Sequence, residues 1–179
     1  MDKSLVLDQV EIWKGETLLL SLDETIAPGE VLTLMGPSGV GKSTLLAFIT
    51  GTLPPAFRAK GRVSLHGKDI PDLPSNQRRV GILFQDDLLF PHLSVGENMA
   101  FGLAPGANKL ERRKKVNSAL DEIELSGFYD RDPATLSGGQ KARVALMRML
   151  LSNPCALLLD EEFSRLDQAL RAQIRELVF

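Results

Sequence analysis

The stretch GPSGVGKST, Gly36 to Thr44, sets Gly36, Gly41, Lys42 and Ser43 in the pattern G-x-x-x-x-G-K-[ST]. Glycines at these places let backbone N–H groups curl around phosphate oxygens, and a helix starting behind them adds the positive end of its dipole. In that arrangement Lys42 reaches the β- and γ-phosphates of a nucleoside triphosphate and Ser43 offers a hydroxyl to Mg2+, while Pro37, Ser38, Gly39, Val40 and Thr44 complete the cradle. With Gly at about 7% of residues, the four matches arise by chance in on the order of one chain in a hundred of this length.

A second stretch, LLLDEEFSRLD from Leu157 to Asp167, places Asp160, Glu161 and Glu162 after an apolar run. A phosphate loop of this kind needs an acid at the end of a neighbouring apolar strand to hold magnesium through water, and Asp160 meets that need. Adjacent residues on a strand point to opposite faces, so Glu161 does not duplicate Asp160. Just past the strand end, Glu161 is placed to turn toward the γ-phosphate and orient or deprotonate the attacking water. Glu162 is left without a part in this chemistry.

These groups need a strand before the phosphate loop, a helix behind it and a strand beneath the acids. VLTLMG, Val31 to Gly36, reads as a short buried strand after the turn APGE, KSTLLAFIT as a helix closed by Gly51, and ALLLD as an apolar strand. LVLDQVEI alternates as a strand, TLPPAFRAKG with its two prolines reads as a loop, and RVSLHGKDI predicts a strand pair turning near His66 and Gly67. RRVGILFQ reads as a second buried strand ending at Gln85. Val116, Ala119, Leu120 and Ile123 fall at i, i+3, i+4 and i+7 of an amphipathic helix from Glu111 to Leu125, with ERRKK as a solvated basic face. LSGGQ opens the mostly apolar helix KARVALMRMLLS, which Pro154 ends, and Leu170, Ile174, Leu177 and Val178 mark a last helix. DDLLFPHLSVGENMAFGL mixes apolar residues with turn formers, and its period assigns it no element.

At 179 residues the chain is long enough for one domain with a real core and a small attached lobe. Twenty-one Lys and Arg against 23 Asp and Glu leave a net charge of -2, which gives no electrostatic reason to expect a nucleic-acid partner. Cys155, the single cysteine, supports neither a disulfide framework nor a thiolate metal cluster and reads as a core residue in a reducing cytosol. No signal peptide or membrane span is legible, so any link to a membrane is expected to run through a partner.

Between the two acid and phosphate sites stands LSGGQ, Leu136 to Gln140. With it, the order GPSGVGKST, ILFQ, LSGGQ, LLLDE, SRLD makes essentially the whole chain resemble the ATP-binding subunits of ABC transporters. The resemblance implies an α/β fold: a P-loop NTPase core with a parallel sheet, an N-terminal antiparallel β lobe and a helical insertion subdomain. On that basis residues 1–179 form one ATP-binding domain, with the helical subdomain at 86–135.

The resemblance also assigns roles. Trp13 matches the aromatic that stacks on adenine, and Gln85 the glutamine that reaches Mg2+ and the attacking water and signals to the membrane partner. Ser137, Gly138, Gly139 and Gln140 match the signature that contacts the γ-phosphate bound on the opposite subunit, and Ser164 to Asp167 the loop joining the two sites. The chemistry agrees, because a Ser hydroxyl and small residues at a helix start present N–H groups to an anion. ATP and Mg2+ are the implied cofactors, and since each site borrows the other subunit's signature, a second ATP-binding subunit in a homodimer is the implied partner.

LFQDDLLFPHLSVGENMAFGL resembles the corresponding region of bacterial importer subunits. There Phe90, Pro91 and their apolar neighbours form a groove for a short helix of a transmembrane permease subunit, and His92 has a structural part. The implied activity is ATP hydrolysis powering transport, at the cytoplasmic face of the inner membrane.

Two departures stand out. The family places a switch histidine downstream of SRLD, whereas His66 and His92 both precede the acids, so the domain is expected to be incomplete at its C-terminus and poorly active alone. Most relatives in the family also have proline where this chain has Glu162. A proline there would confine Glu161 to extended backbone angles, so hydrolysis is expected to suffer more than binding. The alternative these departures suggest is a catalytically impaired nucleotide-binding or regulatory fragment. A soluble relative acting on DNA or ribosomes would usually carry a coiled-coil insertion or a second cassette, and LSGGQ argues against a small P-loop kinase.

Overall fold

A computed structural model of the chain describes residues 3–37, 39–83 and 88–160. Ser38, Gln85, Glu161, Glu162, the SRLD loop and the helix expected around Leu170 to Val178 lie outside the described residues. Two compact units are formed, one running to Ile82 and rejoined by Cys155–Asp160, the other spanning Leu83–Pro154.

The first unit opens with alternating apolar residues that make the antiparallel strands β1 (Leu5–Lys14) and β2 (Thr17–Ile26). β3 (Phe57–Leu65) pairs with the other edge of β1, and the short β4 (Lys68–Asp69) completes the order β2-β1-β3-β4. A bulge between Leu7 and Val10 resets the alternation, so Leu7, Val10 and Ile12 all reach the core. The turn from β3 to β4 falls at His66 and Gly67, both with positive φ, as the sequence indicates. Helix α1 (Lys42–Thr50) adds Leu45 and Ile49 to the core that holds Val63, Leu65 and Ile70. A second, parallel sheet pairs β5 (Val80–Leu83) with β6 (Ala156–Leu159), and Leu158 of β6 joins the same core.

Two local expectations are corrected here. Residues 31–36 form no strand: Val31 and Met35 are 64% and 90% exposed, and Leu34 alone of the run packs on the core. An apolar run becomes a strand only where a neighbouring backbone takes its N–H and C=O groups, and among the described residues none pairs with it. The loop read at TLPPAFRAKG is shorter than its composition implies. Phe57 to Lys60 already lie in β3, opposite Lys14 to Glu11, because pairing with a long neighbour outweighs the two prolines just before it. Cys155 is half-buried and packs on this unit's core.

The second unit is helical. Its helices are α2 (Val95–Phe101), α3 (Lys109–Glu122) and α4 (Gly138–Leu150), and Val95, Met99, Val116, Leu120, Ile123, Val144 and Met147 form its core. Each fully buried side chain of this kind contributes roughly 1.5–3 kcal/mol. Helix α4 is thus part of this unit, beyond Thr135. The stretch to which the sequence period assigns no element contains α2, started by a capping box in which Ser94 and Glu97 bond each other's backbone N–H. Asn108 and Glu111 start α3 the same way, two residues before the periodic pattern begins. No described helix is long and apolar enough to cross a membrane.

Candidate functional site

The phosphate loop is shaped by its last glycine. Gly41 is the N-cap of α1 with φ 102°, and a Cβ there would lie 3.3 Å from Leu19 Cβ and 3.6 Å from Leu20 Cβ. Only glycine combines that left-handed turn with so close an approach to β2. No side chain caps α1, and no acid sits in its first turn. Its first turn and the positive end of its dipole therefore face the loop.

Lys42 Nζ donates to the carbonyls of Gly36 at 2.5 Å and Pro37 at 3.2 Å, back at the start of the loop. Ser43 Oγ donates to Asp160 Oδ1 at 3.0 Å, which brings together residues 117 positions apart. Asp160 follows β6, whose buried Leu158 fixes the strand that aims it. Gly36, Pro37, Lys42, Ser43 and Asp160 are thus linked by hydrogen bonds around the start of α1.

A hydroxyl and a carboxylate are hard oxygen donors of the kind Mg2+ takes, usually one or two from protein with phosphate and water supplying the rest. Among the described residues no group of three or more His, Cys, Asp or Glu could hold a metal as a closed protein cage. The donor set at Ser43 and Asp160 fits Mg2+ brought in with a triphosphate.

Trp13 lies near the hairpin end of β1, paired across the sheet with Leu18 and Arg58. Its Nε1 donates to Glu11 Oε2 at 2.9 Å, and Lys60 Nζ stands 5.4 Å from the ring centroid. Leu20 faces Ile12, Leu18 faces Trp13, and Gly41 packs on Leu19 and Leu20, so this end of the hairpin lies beside the phosphate loop.

In the helical unit, Ser137 is the N-cap of α4. Its Oγ accepts from Gln140 N at 3.3 Å, while Gln140 Oε1 accepts from Ser137 N at 3.0 Å. Ser137, Gly138 and Gly139 are exposed, and a side chain added at either glycine would meet nothing within 4 Å. In the stretch expected to meet a partner, Leu88 and Phe101 are exposed, and Phe90 packs on Phe101 with ring centroids 4.8 Å apart.

Two residues with a strong structural part escaped sequence reasoning. Asn98, fully buried, accepts from Phe90 N and donates to the carbonyls of Phe90, Leu93 and Ser94, which fixes the loop under that surface. Arg78 is buried among backbone carbonyls in the first unit. For Asn98 the only signal was a polar residue close to apolar ones, and Arg78, between Gln77 and Arg79, gave none.

A family model described as ABC transporter matches residues 19–164, through both the phosphate loop and the acids. The chain belongs to the ABC transporter family. It is similar to the uncharacterized ABC transporter ATP-binding protein YnjD of Escherichia coli (strain K12), 51% identical over 90% of this chain and 75% of that protein. The thiamine import ATP-binding protein ThiQ of Jannaschia sp. (strain CCS1) is 46% identical over 97% of this chain and 75% of that protein. The Fe(3+) ions import ATP-binding protein FbpC of Agrobacterium fabrum (strain C58 / ATCC 33970) is 45% identical over 96% of this chain, which spans 48% of its length. The chain therefore covers three quarters of some curated relatives and less than half of others.

The fold matches a dimeric post-hydrolysis structure of the ATP-binding cassette MJ0796 bound to ADP and Pi, with a TM-score of 0.77 and 32% identity over 97% of this chain and 80% of that one. The antiparallel lobe, parallel sheet and helical unit are those of an ABC ATPase, and ATP-powered transport is the work of this family.

Proposed function

We propose that this ABC domain binds MgATP in the loop Gly36–Thr44 and hydrolyses it as part of an importer, as one of two ATP-binding subunits in a homodimer on a transmembrane permease. The observation that carries the nucleotide reading is the 3.0 Å bond from Ser43 to Asp160, which joins the phosphate loop to the acidic strand end. Lys42 would hold the β- and γ-phosphates, Trp13 would stack on adenine, and Ser43, Asp160 and Gln85 would hold Mg2+. When bound, Mg2+ would supply positive charge against the negative charge developing on the phosphoryl oxygens. Glu161 would orient the attacking water, with Gln85 beside it. Ser137 to Gln140 would serve the partner subunit's ATP, which makes dimerisation part of catalysis.

The relatives named for thiamine and iron import, and the exposed Leu88 and Phe101 of the helical unit, support an importer-type permease as the membrane partner. The domain would then sit at the cytoplasmic face of the inner membrane, held there by that subunit.

Thermal unfolding with and without MgATP tests the binding step. A ligand at a hundred times its Kd adds about 2.7 kcal/mol, which for a chain of this size is a rise of roughly 5–10 °C in Tm. Asp160→Asn is expected to remove most of the Mg2+-dependent part of that rise while leaving the rise with ATP in EDTA. A chain whose Tm ignores millimolar MgATP would contradict the nucleotide reading.

A further inference from the structure

Among the described residues Arg78 is the one buried charged side chain, at 7% exposure. Burial pulls its pKa below the ordinary arginine value, with the Asp72 carboxylate partly opposing. A buried charge is costly unless it is fully hydrogen-bonded, and here the partners are backbone carbonyls. Nε donates to Leu73 O at 2.8 Å, one terminal nitrogen to Phe48 O at 2.8 Å and Ile49 O at 2.9 Å, and the other to Pro71 O at 2.5 Å.

Phe48 and Ile49 belong to the last turn of α1, where the dipole is negative, and Phe48 O also accepts from the N–H of the C-cap Gly51 at 3.1 Å. The next residue, Arg79, gives its carbonyl to Cys155 N at 2.7 Å, at the entry to β6. Residues 78 and 79 therefore anchor the back ends of α1 and β6 side by side. Their front ends carry Ser43 and Asp160, which meet at 3.0 Å. With α1 about 13 Å long, a tilt of about 5° at the anchored end moves its tip by about 1 Å. Misplacement on that scale is enough to lose on the order of a hundredfold at a site built for fixed geometry.

The geometry points to Arg78 as a positioning residue: it sets the separation of Ser43 Oγ and Asp160 Oδ1 and, through it, the affinity for a Mg2+-bound triphosphate. The inference rests on the reading of Ser43 and Asp160 as the Mg2+ side of the nucleotide site.

The test is a calorimetric titration of the 179-residue chain with ATP, in MgCl2 and in EDTA, for the native sequence and Arg78→Lys. Lysine keeps the charge but offers a single nitrogen where the guanidinium fork spans several carbonyls. Affinity in MgCl2 should fall roughly tenfold, about 1.4 kcal/mol, while affinity in EDTA stays within about twofold of the native value. Equal losses in both buffers, or none in either, overturn the inference.

If Arg78→Lys gives no folded chain, Arg78→Gln replaces it, because a neutral amide avoids burying a charge and still cannot span the carbonyls of residues 48, 49, 71 and 73. The same split between buffers is expected, and its absence counts against the role. A native chain that binds ATP equally with MgCl2 and EDTA would overturn the Mg2+ reading and this inference with it. Unsplit variants beside a Mg2+-dependent native chain would overturn the positioning role alone.

Discussion

Helices α1 and α4 both begin on small, glycine-containing turns, yet their first-turn N–H groups meet different surroundings. At α1 the N-cap is Gly41, which has no side chain to offer. At α4, Ser137 and Gln140 close a reciprocal capping box, as Ser94 with Glu97 does for α2 and Asn108 with Glu111 for α3. An uncapped start leaves backbone donors and dipole for an external anion. A capped start spends its acceptors on itself but holds one hydroxyl in a fixed place: Ser137 Oγ accepts from Gln140 N–H and still has a proton to donate outward. The two sites proposed to face phosphate are therefore built differently, one from main chain and lysine, the other from an oriented serine.

Removing Lys42 should break the first site most severely. Hydrogen bonds to charged groups are worth about 1.5–3 kcal/mol, so Lys42→Ala is expected to weaken MgATP binding roughly 10- to 100-fold by calorimetry. In the same titration of the isolated chain, Ser137→Ala should leave affinity within about twofold, since the signature is proposed to touch only a partner's nucleotide. Equal losses from both substitutions would remove the distinction between the two helix starts.

Ser137→Ala has its own cost. Loss of an N-cap side chain typically destabilises by about 1 kcal/mol, or about 2–4 °C in Tm for a chain of this size. Its larger consequence should be the loss of MgATP-driven dimerisation, read by analytical ultracentrifugation. A variant that dimerises normally would place the signature outside the shared site.

The contrast between these regions also marks what was legible. The phosphate loop could be read because each of its residue types is demanded by local chemistry: Gly41 by a left-handed turn against β2, Lys42 by charge, Ser43 by its hydroxyl. The turn at His66 and Gly67 was legible for the same local reason. Val31 to Gly36 looked like a strand because apolar content reports a preference for burial, and it cannot report which neighbour supplies the ladder. Helix α2 carried its S-x-x-E start in plain view, but Gly96 and Asn98 interrupt the apolar period: Gly96 is buried where its N–H meets Tyr129 O, and Asn98 where its amide ties down residues 90 to 94. Arg78 and Arg79 are identical in type and adjacent, yet one is buried and the other exposed. What separates them is the arrival of carbonyls from residues 48, 49, 71 and 73, a non-local fact that no spacing records.

The smallest predicted stability effect carries the sharpest sign. Helices α2 and α3 use glutamate as the returning arm of the capping box, Glu97 and Glu111, whereas α4 uses the neutral Gln140. A carboxylate at that position would serve the helix better, because it answers the positive end of the dipole as well as bonding the N-cap N–H. Gln140→Glu should therefore stabilise the isolated chain, by about 0.3–1 kcal/mol at low salt. The same charge would face the γ-phosphate proposed to dock on Ser137 to Gly139, so MgATP-driven dimerisation should weaken while Tm rises. A variant that gains stability and dimerises as well as the native chain would show that α4 presents its start to something other than phosphate.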